Sequence, residues 1–406
     1  MITVEEATRR MLAAVATVAP LPAEFVSLTA AAGRVLANDV AARRTQPPAD
    51  LSAMDGYAVR AADVATVPAT LTGIGAVPAG TRFGGTVRPG ECVRIFTGAP
   101  VPDGADTIVI QENVTVEGNR ITVREGAAPG RHVRRTGADF RAGDVVLRAG
   151  RVLTARDIGL AAAMNVPWLP VRRRPRVAVL ATGNEIVMPG DPIGPNQIAG
   201  ANSLALAALV EACGAEASNL GIAPDDRAAL GAMAAAAAGA DLLLTTGGVS
   251  VGEHDVVREA LGDRGLELDF WRIAMRPGKP LMFGRLGGTL VLGLPGNPVS
   301  ALVCAIVFVQ PVLRAFLGLP PEGRPARARL GHDLPANDRR RDHLRGRLDR
   351  DGDDPPVATP FDVQDSAMMA PLAAADCLIV RPPHAPAARR GDIVDIIPLT
   401  GGFPHV

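Results

Sequence analysis

The chain has 406 residues, of which 48% are hydrophobic, and its 42 basic and 42 acidic residues give a formal net charge of zero. A neutral chain lacks the excess of positive charge that is typical of nucleic-acid binding, so an anionic ligand must be met by local charge. Because single cores rarely grow beyond roughly 100–200 residues, this length predicts about three or four domains.

The N-terminal segment, residues 1–45, is predicted to be helical. Thr3 opens a capping-box pattern, and apolar residues then recur on one helix face, which is typical of an amphipathic helix and not of a signal peptide. Helical periodicity returns at residues 154–165, with Thr154 as the capping residue. Since the two helices are similar in character, we expect the second to pack on the first. Residues 1–45 and 149–174 would then form one discontinuous, largely helical linker domain.

A region rich in Gly, Pro and Val lies between these two segments, over residues 46–148. Its short apolar runs alternate with turn signals such as Pro-Asp-Gly and Glu-Gly-Asn, as β-hairpins require. The sequence therefore predicts a β-rich domain here, with strands that include residues 91–96, 107–110 and 120–123.

The pattern changes at residue 175, where apolar strands begin to alternate with helices. Such alternation predicts a central doubly wound α/β domain with a mainly parallel sheet, over residues 175–322. The predicted strands are residues 177–180, 217–222, 242–245, 266–270, 280–283 and 289–292, and the predicted helices are 204–213, 227–238 and one that begins near 298.

The C-terminal part completes a multidomain fold of α/β and all-β parts. The apolar stretch 301–317 contains polar residues and is shorter than the roughly 20 residues that a bilayer requires, so we expect a buried helix and no membrane contact. Residues 320–327 are a linker candidate. Short β-like runs at 377–380 and 393–397 predict a C-terminal β domain over residues 323–406.

The cysteines indicate the compartment. The chain has four of them, scattered and without metal-ligand spacing, which is typical of reduced thiols in a cytoplasmic protein. They are Cys92, Cys213, Cys304 and Cys377.

Three strand-end loops of the α/β domain are the first candidate site. Ligands of doubly wound sheets bind beyond the carboxyl ends of the strands, and glycine there lets backbone N–H groups approach an anion. The loops read TGNE at 182–185, TTGGVSVGEHD at 245–255 and LPGNPVS at 294–300. Neither a Walker A sequence nor a GxGxxG fingerprint is present in the 245–255 loop, which disfavours a nucleotide triphosphatase or a nicotinamide dehydrogenase. A single loop of this kind is equally explained as a turn, whereas three favour a phosphate or pterin pocket.

Charged residues near these loops are the second candidate. Arg272, Arg276 and Lys279 are spaced so that they can converge on one oxyanion, although a solvated basic surface is the alternative. Glu185, Asp225 and Asp255 lie on loops at the same predicted edge, where carboxylates can hold Mg²⁺ or activate water. Each of these carboxylates could alone be a helix cap, and Asp225 has the right position for one.

The β-rich domain has dense motifs of its own, SAMDGYAV at 52–59 and RIFTGAPVP at 94–102. Its Asp-Gly pair at 55–56 is also compatible with a purely architectural tight turn. Together with TGNE, TTGGVSVGEHD, RPGKP at 276–280 and LPGNPVSA at 294–301, and in this order, these motifs resemble the molybdopterin molybdenumtransferase family, which is related to the E domain of gephyrin. The Ser366 loop and the Gly-Asp pair at 391–392 are similar to the family's fourth domain.

The resemblance implies an elongated homodimer in which the β-rich domain of one subunit faces the α/β domain of the other. It implies that adenylylated molybdopterin and molybdate enter, that Mg²⁺ assists, and that molybdenum cofactor and AMP leave. It also implies contacts with the upstream molybdopterin adenylyltransferase and with acceptor molybdoenzymes, and none with nucleic acid or membrane.

The family's functional residues fall on matching positions of this chain. The resemblance implies catalytic roles for Asp55, Thr97, Glu185, Asp225 and Asp255, of which the last three would bind the metal. It implies substrate-binding roles for Asp139, Arg272, Arg276, Lys279, Pro295, Pro298 and Ser366. The glycine-rich loop at 245–255 adds Gly247, Gly248 and Ser250 as predicted substrate-binding residues.

The chain departs from the family pattern at four of its positions. The family often has Asp where Asn184 and Gly200 stand, and lysine where Arg272 and Arg276 stand. Arginine keeps the charge needed to bind an oxyanion. Loss of two carboxylates is expected either to weaken the metal site or to shift metal binding to Glu185, Asp225 and Asp255.

Two other functions are considered. A molybdopterin adenylyltransferase shares the α/β fold and a related loop, but it resembles only the middle domain. A non-catalytic, gephyrin-like scaffold would not need the cluster of cations at residues 272–279.

Overall fold

The computed structural model describes most of the chain, namely residues 1–247, 256–321, 326–349 and 355–399. Its α/β and all-β parts form the multidomain fold that the sequence predicts. Three predicted site residues, Gly248, Ser250 and Asp255, lie outside the described residues, as does half of the predicted linker at 320–327.

The opening helix, Val4–Ala16, begins where the sequence indicates. The backbone N–H of Glu6 donates a hydrogen bond to the Thr3 side-chain oxygen at 3.1 Å, which caps the first turn. The prediction of helix throughout residues 1–45 is wrong beyond this point. Two prolines follow, which do not continue a helix, and the next element is the strand Ala23–Ser27.

The two segments of the linker domain meet through strands. Ala23–Ser27 pairs antiparallel with Trp168–Arg172, and Val40–Ala41 pairs with Val145–Leu147. The predicted helix Ala155–Ala163 is present, with a capping box made by Thr154 and Asp157.

The expected packing of this helix on the opening helix is wrong. The helix Ala155–Ala163 shares a core with apolar residues of 31–42 and 164–171, whereas Val4–Ala16 packs into the core of the α/β domain. An amphipathic pattern shows that a helix buries one face, but it does not identify the partner of that face.

The β-rich domain is built on a six-stranded sheet. The Glu-Gly-Asn turn joins Val114–Glu117 and Arg120–Val123 into the antiparallel hairpin that the sequence predicts. Leu51–Ser52 and Val133–Arg134 form a separate two-stranded pair. The strands of the sheet, in spatial order, are Thr107–Ile110, Gly56–Val59, Glu91–Ile95, Ala69–Val77, Arg120–Val123 and Val114–Glu117.

The α/β domain contains the predicted, mainly parallel sheet. Its first four strands in spatial order are parallel, and the last two are each antiparallel to the neighbour before them. The strands, in spatial order, are Glu216–Ala223, Arg176–Thr182, Leu242–Thr246, Thr289–Leu294, Pro280–Leu286 and Leu266–Arg272. Its helices are Asn202–Ala212, Arg227–Ala234, Val256–Gly262, Pro298–Cys304 and Gln310–Phe316.

One helical stretch among the described residues, Pro298–Phe316, is long and apolar enough to cross a membrane by length and composition. However, 61% of it is buried inside the molecule. Phe308 and Phe316 have exposed fractions of 1% and 0% and belong to the core of the α/β domain. The stretch therefore packs as the buried helix that the sequence predicts.

The C-terminal domain is a closed barrel of five strands. Each of the described strands pairs with two others, so the ring that they form has no free edge, which removes the exposed backbone groups of an open sheet. The short strand Met275–Arg276 of the α/β domain pairs in parallel with the barrel at Arg341 and Asp342. The barrel strands are Ala326–Leu330, Arg341–Asp349, Val357–Pro360, Cys377–Arg381 and Ile393–Pro398, and a short helix covers Met369–Ala373.

Candidate functional site

Three neighbouring parallel strands bring the predicted loops to one edge of the sheet. Arg176–Thr182, Leu242–Thr246 and Thr289–Leu294 lie side by side and end at the same level. Gly247 follows the middle strand with φ +89°, and a Cβ there would lie 2.2 Å from the carbonyl oxygen of Thr182. Only glycine fits so close to the adjacent strand, and the loop therefore starts against its neighbour.

An asparagine that was not among the predicted site residues locks these loops together. The Nδ2 of Asn202 donates to the Thr246 Oγ1 at 2.9 Å and to the Gly296 carbonyl oxygen at 2.7 Å. The Thr246 hydroxyl in turn donates to the Pro295 carbonyl oxygen at 3.1 Å. A small cavity of about 70 Å³ lies beside this network, between Gly200 and the helix that starts at residue 202. The sequence signal that could have identified Asn202 is its position at the start of a helix near the carboxyl ends of the strands.

The third loop also receives a residue from the C-terminal domain. The Asn297 side-chain amide donates to the Ser366 hydroxyl at 3.0 Å, and the Val299 N–H donates to the Ser366 carbonyl oxygen at 3.1 Å. Pro298 is the first residue of the helix, where its missing N–H costs nothing. The structure thus brings Pro295, Pro298 and Ser366 together, which are three of the predicted substrate-binding residues.

The predicted carboxylates Glu185 and Asp225 are exposed on loops that follow adjacent strands. Asn184 and Asp225 link these loops, since the N–H of each donates to the other's side-chain oxygen, at 3.3 and 3.1 Å. The suggestion that Asp225 is a helix cap is wrong, because Asp226 accepts the capping bond from the Ala229 N–H at 2.7 Å. Asp225 is therefore available for a ligand.

The donor chemistry of these two carboxylates suits Mg²⁺. The described residues contain no group of three or more His, Cys, Asp or Glu side chains that could hold a metal ion, and the third predicted ligand, Asp255, lies outside them. The metal site accordingly stays a prediction.

The predicted cations have different surroundings. The Arg272 guanidinium lies over the Trp271 ring at 4.2 Å, and Arg258 lies over the same ring at 4.6 Å. Arg276 forms ion pairs with Asp338 and with Asp342, the latter at 3.2 Å. Convergence of the cations on a single oxyanion stays a prediction.

Lys279, the third cation, is half-buried and follows a tightly packed turn. Gly278 has φ +106°, and a Cβ there would lie 2.3 Å from the Cys304 sulfur. Glycine is therefore required to seat the Pro-Gly-Lys segment against the helix Pro298–Cys304.

The four cysteines are free thiols in the structure, and three of them are buried. Burial raises the pKa of Cys92 to about 12, of Cys213 to about 11 and of Cys377 to about 12, because desolvation disfavours the thiolate. Burial also raises the pKa of Cys304. Protonated thiols are poor nucleophiles and poor metal ligands, so the cysteines have no evident part in the site.

In the β-rich domain, Asp55 and Thr97 form a pair. The Thr97 N–H and hydroxyl donate to the same Asp55 carboxylate oxygen, at 2.7 and 2.8 Å. These donors lower the pKa of Asp55, with a smaller contribution from the charge of Arg94. Asp55 is therefore ionised at neutral pH, where it can accept but not donate a proton.

Arg94 contacts the chain next to the Asp55–Thr97 pair. It donates to the Gly56 carbonyl oxygen at 3.1 Å and stacks on Tyr57 and Phe96 at 5.2 and 5.0 Å from the ring centres. The remaining predicted residue of this domain, Asp139, is exposed, and its N–H donates to the Gln46 carbonyl oxygen at 3.1 Å.

Family comparisons cover nearly all of the chain. Residues 2–165 match the family described as MoeA N-terminal region (domain I and II), and residues 178–315 match a probable molybdopterin binding domain. Residues 327–399 match the MoeA C-terminal region (domain IV).

Individual proteins agree with this result. The chain is 45% identical to molybdopterin molybdenumtransferase 2 of Mycobacterium tuberculosis, over 75% of this chain and 77% of that protein. It is 42% identical to the molybdopterin molybdenumtransferase of a Nostoc species, over 80% of this chain and 77% of that protein. The crystal structure of a molybdopterin biosynthesis MoeA protein from Pyrococcus horikoshii superimposes with a TM-score of 0.84, at 31% identity, and covers 99% of this chain and 100% of that one.

Proposed function

The chain belongs to the MoeA family of molybdopterin molybdenumtransferases, and we propose that it inserts molybdenum into adenylylated molybdopterin, using molybdate and releasing AMP, as the final step of molybdenum cofactor synthesis. The observation that carries this proposal is the group of loops locked by Asn202, Thr246 and Gly296. Loops that are held together by side-chain hydrogen bonds are suited to binding phosphate, because they need little reorganisation when charge develops.

Each predicted residue has a task in this reaction. Gly247, Gly248 and Ser250 offer backbone donors to the phosphates. The cations Arg272, Arg276 and Lys279 bind phosphate or molybdate oxygens. Pro295, Pro298, Asp139 and Ser366 position the substrate.

Asp55 and Thr97 act on the reacting groups. Because the Thr97 donors lower the pKa of Asp55, its carboxylate stays charged and can accept a hydrogen bond that orients the water attacking the phosphoanhydride. Glu185, Asp225 and Asp255 would hold Mg²⁺, and a bound Mg²⁺ would supply positive charge beside the phosphoanhydride.

The active unit is a homodimer in this proposal. Among the described residues, the cores of the β-rich domain contain only its own side chains, so Asp55 and Thr97 can face the α/β domain of a second subunit. We place the reaction in the cytoplasm, in keeping with four free cysteines. The upstream adenylyltransferase and acceptor molybdoenzymes are the proposed protein partners.

The adenylyltransferase alternative is disfavoured by the matches at both ends of the chain, to the MoeA N-terminal and C-terminal regions. The scaffold alternative makes a different prediction, since a scaffold binds protein without turnover.

The test is a reconstitution with purified full-length protein, adenylylated molybdopterin, molybdate and Mg²⁺. We expect one AMP released for each cofactor formed, with activity transferred to an acceptor apoenzyme. Consumption of ATP with free molybdopterin would support the adenylyltransferase instead. A folded protein that releases no AMP would contradict the proposal.

A further inference from the structure

Asp55 lies at a tight corner of the β-rich domain. Gly56, the next residue, begins a strand of the sheet, and a Cβ on it would lie 2.1 Å from the Val109 carbonyl oxygen. Glycine is therefore required for this close approach to the neighbouring strand. The Asp55 carbonyl oxygen accepts a hydrogen bond from the Gln111 N–H at 3.2 Å. The backbone of the corner is thus fixed against the strand Thr107–Ile110 and the residue that follows it.

The Arg94 guanidinium connects the two supports of this corner. Its Nη1 donates to the Gly56 carbonyl oxygen at 3.1 Å, and its Nη2 donates to the Gln111 side-chain oxygen at 2.5 Å. Gly56 follows Asp55 directly, and Gln111 binds the Asp55 carbonyl oxygen. Because a guanidinium is planar and holds its donors in a fixed fork, a single side chain sets the distance between both supports.

Stacking extends the contacts of Arg94 to the segment that contains Thr97. The guanidinium lies over the rings of Tyr57 and Phe96, at 5.2 and 5.0 Å from the ring centres. Phe96 directly precedes Thr97, whose N–H and hydroxyl both donate to Oδ1 of Asp55. Since cations are attracted to the faces of aromatic rings, Arg94 also holds the segment that binds the carboxylate.

The charge of Arg94 is not used in an ion pair. Within the described ranges of the chain it forms no salt bridge, and both of its hydrogen bonds go to neutral oxygens. Its charge instead helps the Thr97 donors to lower the pKa of the Asp55 carboxyl. The two Thr97 donors occupy Oδ1, whereas Oδ2 accepts no hydrogen bond from a described residue. The carboxylate therefore has one free oxygen.

We propose that Arg94 is a positioning residue for Asp55: by holding both supports of the corner and the segment before Thr97, it keeps the free Oδ2 in the orientation that binds the attacking water. The inference rests on the proposed function, in which Asp55 orients that water. Arg94 itself does not touch the substrate.

The first experiment measures AMP release by full-length variants of Arg94. In Arg94→Gln the charge and one arm of the fork are lost, so kcat should fall about 10–10²-fold, with KM for adenylylated molybdopterin changed less than about twofold. Arg94→Lys keeps the charge, but its single nitrogen cannot replace the fork, so its kcat should stay closer to that of Arg94→Gln than to that of the wild type. Full activity of Arg94→Lys, or a loss seen only in KM, would overturn the inference.

The matched control is Arg82→Gln. It removes an exposed arginine of the same domain, which pairs with Asp103 at 3.3 Å, and it should be fully active. A loss of activity in Arg82→Gln equal to that in Arg94→Gln would mean that the effect is not specific to the corner, and would contradict the inference.

The second experiment combines Arg94→Gln with Asp55→Ala. If Arg94 acts through Asp55, the double variant should release AMP at the rate of Asp55→Ala alone, within about twofold, because residues that act as a unit are not additive. A purely structural role would lower the rate by the same factor as in the wild-type background. Such a further loss would count against a positioning role.

The third experiment does not depend on turnover. Hydrogen exchange reports on the N–H groups of Thr97 and Gln111, which bind Asp55 directly. In Arg94→Gln, peptides that contain these two amides should exchange about tenfold faster, whereas in Arg82→Gln they should match the wild type. Unchanged exchange would refute the inference. If Arg94→Gln does not fold, the same comparison is made with Arg94→Lys.

The two proposals can fail separately. A wild-type protein that releases no AMP would refute the proposed reaction, and the exchange experiment would still decide whether Arg94 holds the corner. Normal AMP release by both the wild type and Arg94→Gln would do the reverse.

Discussion

The β-rich domain and the α/β domain differ in how far their cores extend. Within the part of the chain that the structure describes, the two clusters of buried apolar residues in the β-rich domain contain only residues between 57 and 133. The core of the α/β domain takes in the opening helix and part of the C-terminal barrel, with Met11, Phe308 and Leu378 in one cluster. The first is a self-contained body, and the second is one packed unit made from three parts of the chain.

The difference in how far the two cores extend determines which of the predicted site residues are held in fixed positions relative to each other. Gly247, Pro295 and Ser366 are fixed within the packed unit, whereas Asp55 and Thr97 are on the surface of a body that has its own core. Bodies joined through a small linker generally move relative to each other. A site that uses both therefore depends on how the β-rich domain is presented to the α/β domain.

The largest expected effect is on the stability of the shared core. Phe308→Ala removes a side chain with an exposed fraction of 1% and should cost about 3–5 kcal/mol. Hydrogen exchange should show lost protection in the opening helix, the α/β domain and the barrel together. The matched variant Ile108→Ala should affect only the β-rich domain. Loss of protection everywhere in both variants would contradict the division into two bodies.

The next largest effect is on turnover. Asp55→Ala removes the charged acceptor held by Thr97 and should reduce AMP release by about 10²–10³-fold, with little change in stability. The dimer should remain intact by light scattering. Asp103→Asn, in an exposed pair with Arg82 at 3.3 Å, is the control in the same domain and should be fully active. If Asp55→Ala retains activity, the β-rich domain does not contribute to the site as proposed.

A smaller effect is expected from crowding the strand-end loop. Gly247→Ala places a Cβ against the Thr182 carbonyl and forces a residue with φ +89°, which should cost about 1–3 kcal/mol and slow AMP release. Gly288→Ala is the control, because a Cβ there meets no atom within 4 Å. A Gly247→Ala protein with the activity and melting temperature of the control would show that the close approach is not required.

The smallest effect concerns the joint between the α/β domain and the barrel. Arg340 and Arg276 lower the pKa of Asp338 from 3.8 to about 2. Since the folded-state pKa is depressed, the stabilisation is present above the unfolded-state pKa and is lost as the pH falls toward 2. The difference in denaturation midpoint between the wild type and Asp338→Asn should shrink over that interval. A difference that is constant with pH would mean that the ion pair contributes nothing.

Strands and helices were predicted well where the apolar residues of a segment follow a single spacing, either that of a strand or that of a helix. The strand Thr107–Ile110 and the hairpin strand Arg120–Val123 have the predicted bounds, and the mainly parallel sheet follows from alternating strands and helices. The segment after Ala16 was predicted poorly. Its strand Ala23–Ser27 is stabilised by pairing with Trp168–Arg172, a partner far away in the sequence.

The residues of the candidate site also fall into those that local sequence motifs indicate and those that depend on contacts between distant parts of the chain. Motifs of the sequence indicated the residues at the strand ends, because glycines, prolines and carboxylates after strands have local chemical meaning. They did not indicate Asn202, whose role depends on Thr246 and Gly296 being adjacent in space. The sequence also did not indicate the ion pair between Arg276 and the buried Asp342, since a carboxylate in a strand gives no sign of burial beside a cation.

The sequence by itself determined the family and the order of the domains, and it predicted the chemical types of the site residues, because short-range patterns encode these. Only the tertiary structure decided which core receives the opening helix, and that Arg276 pairs with Asp338 and Asp342 of the barrel. The physical reason is that apolar faces and charges are not selective for a partner until the folded chain fixes which groups are close and shielded from water.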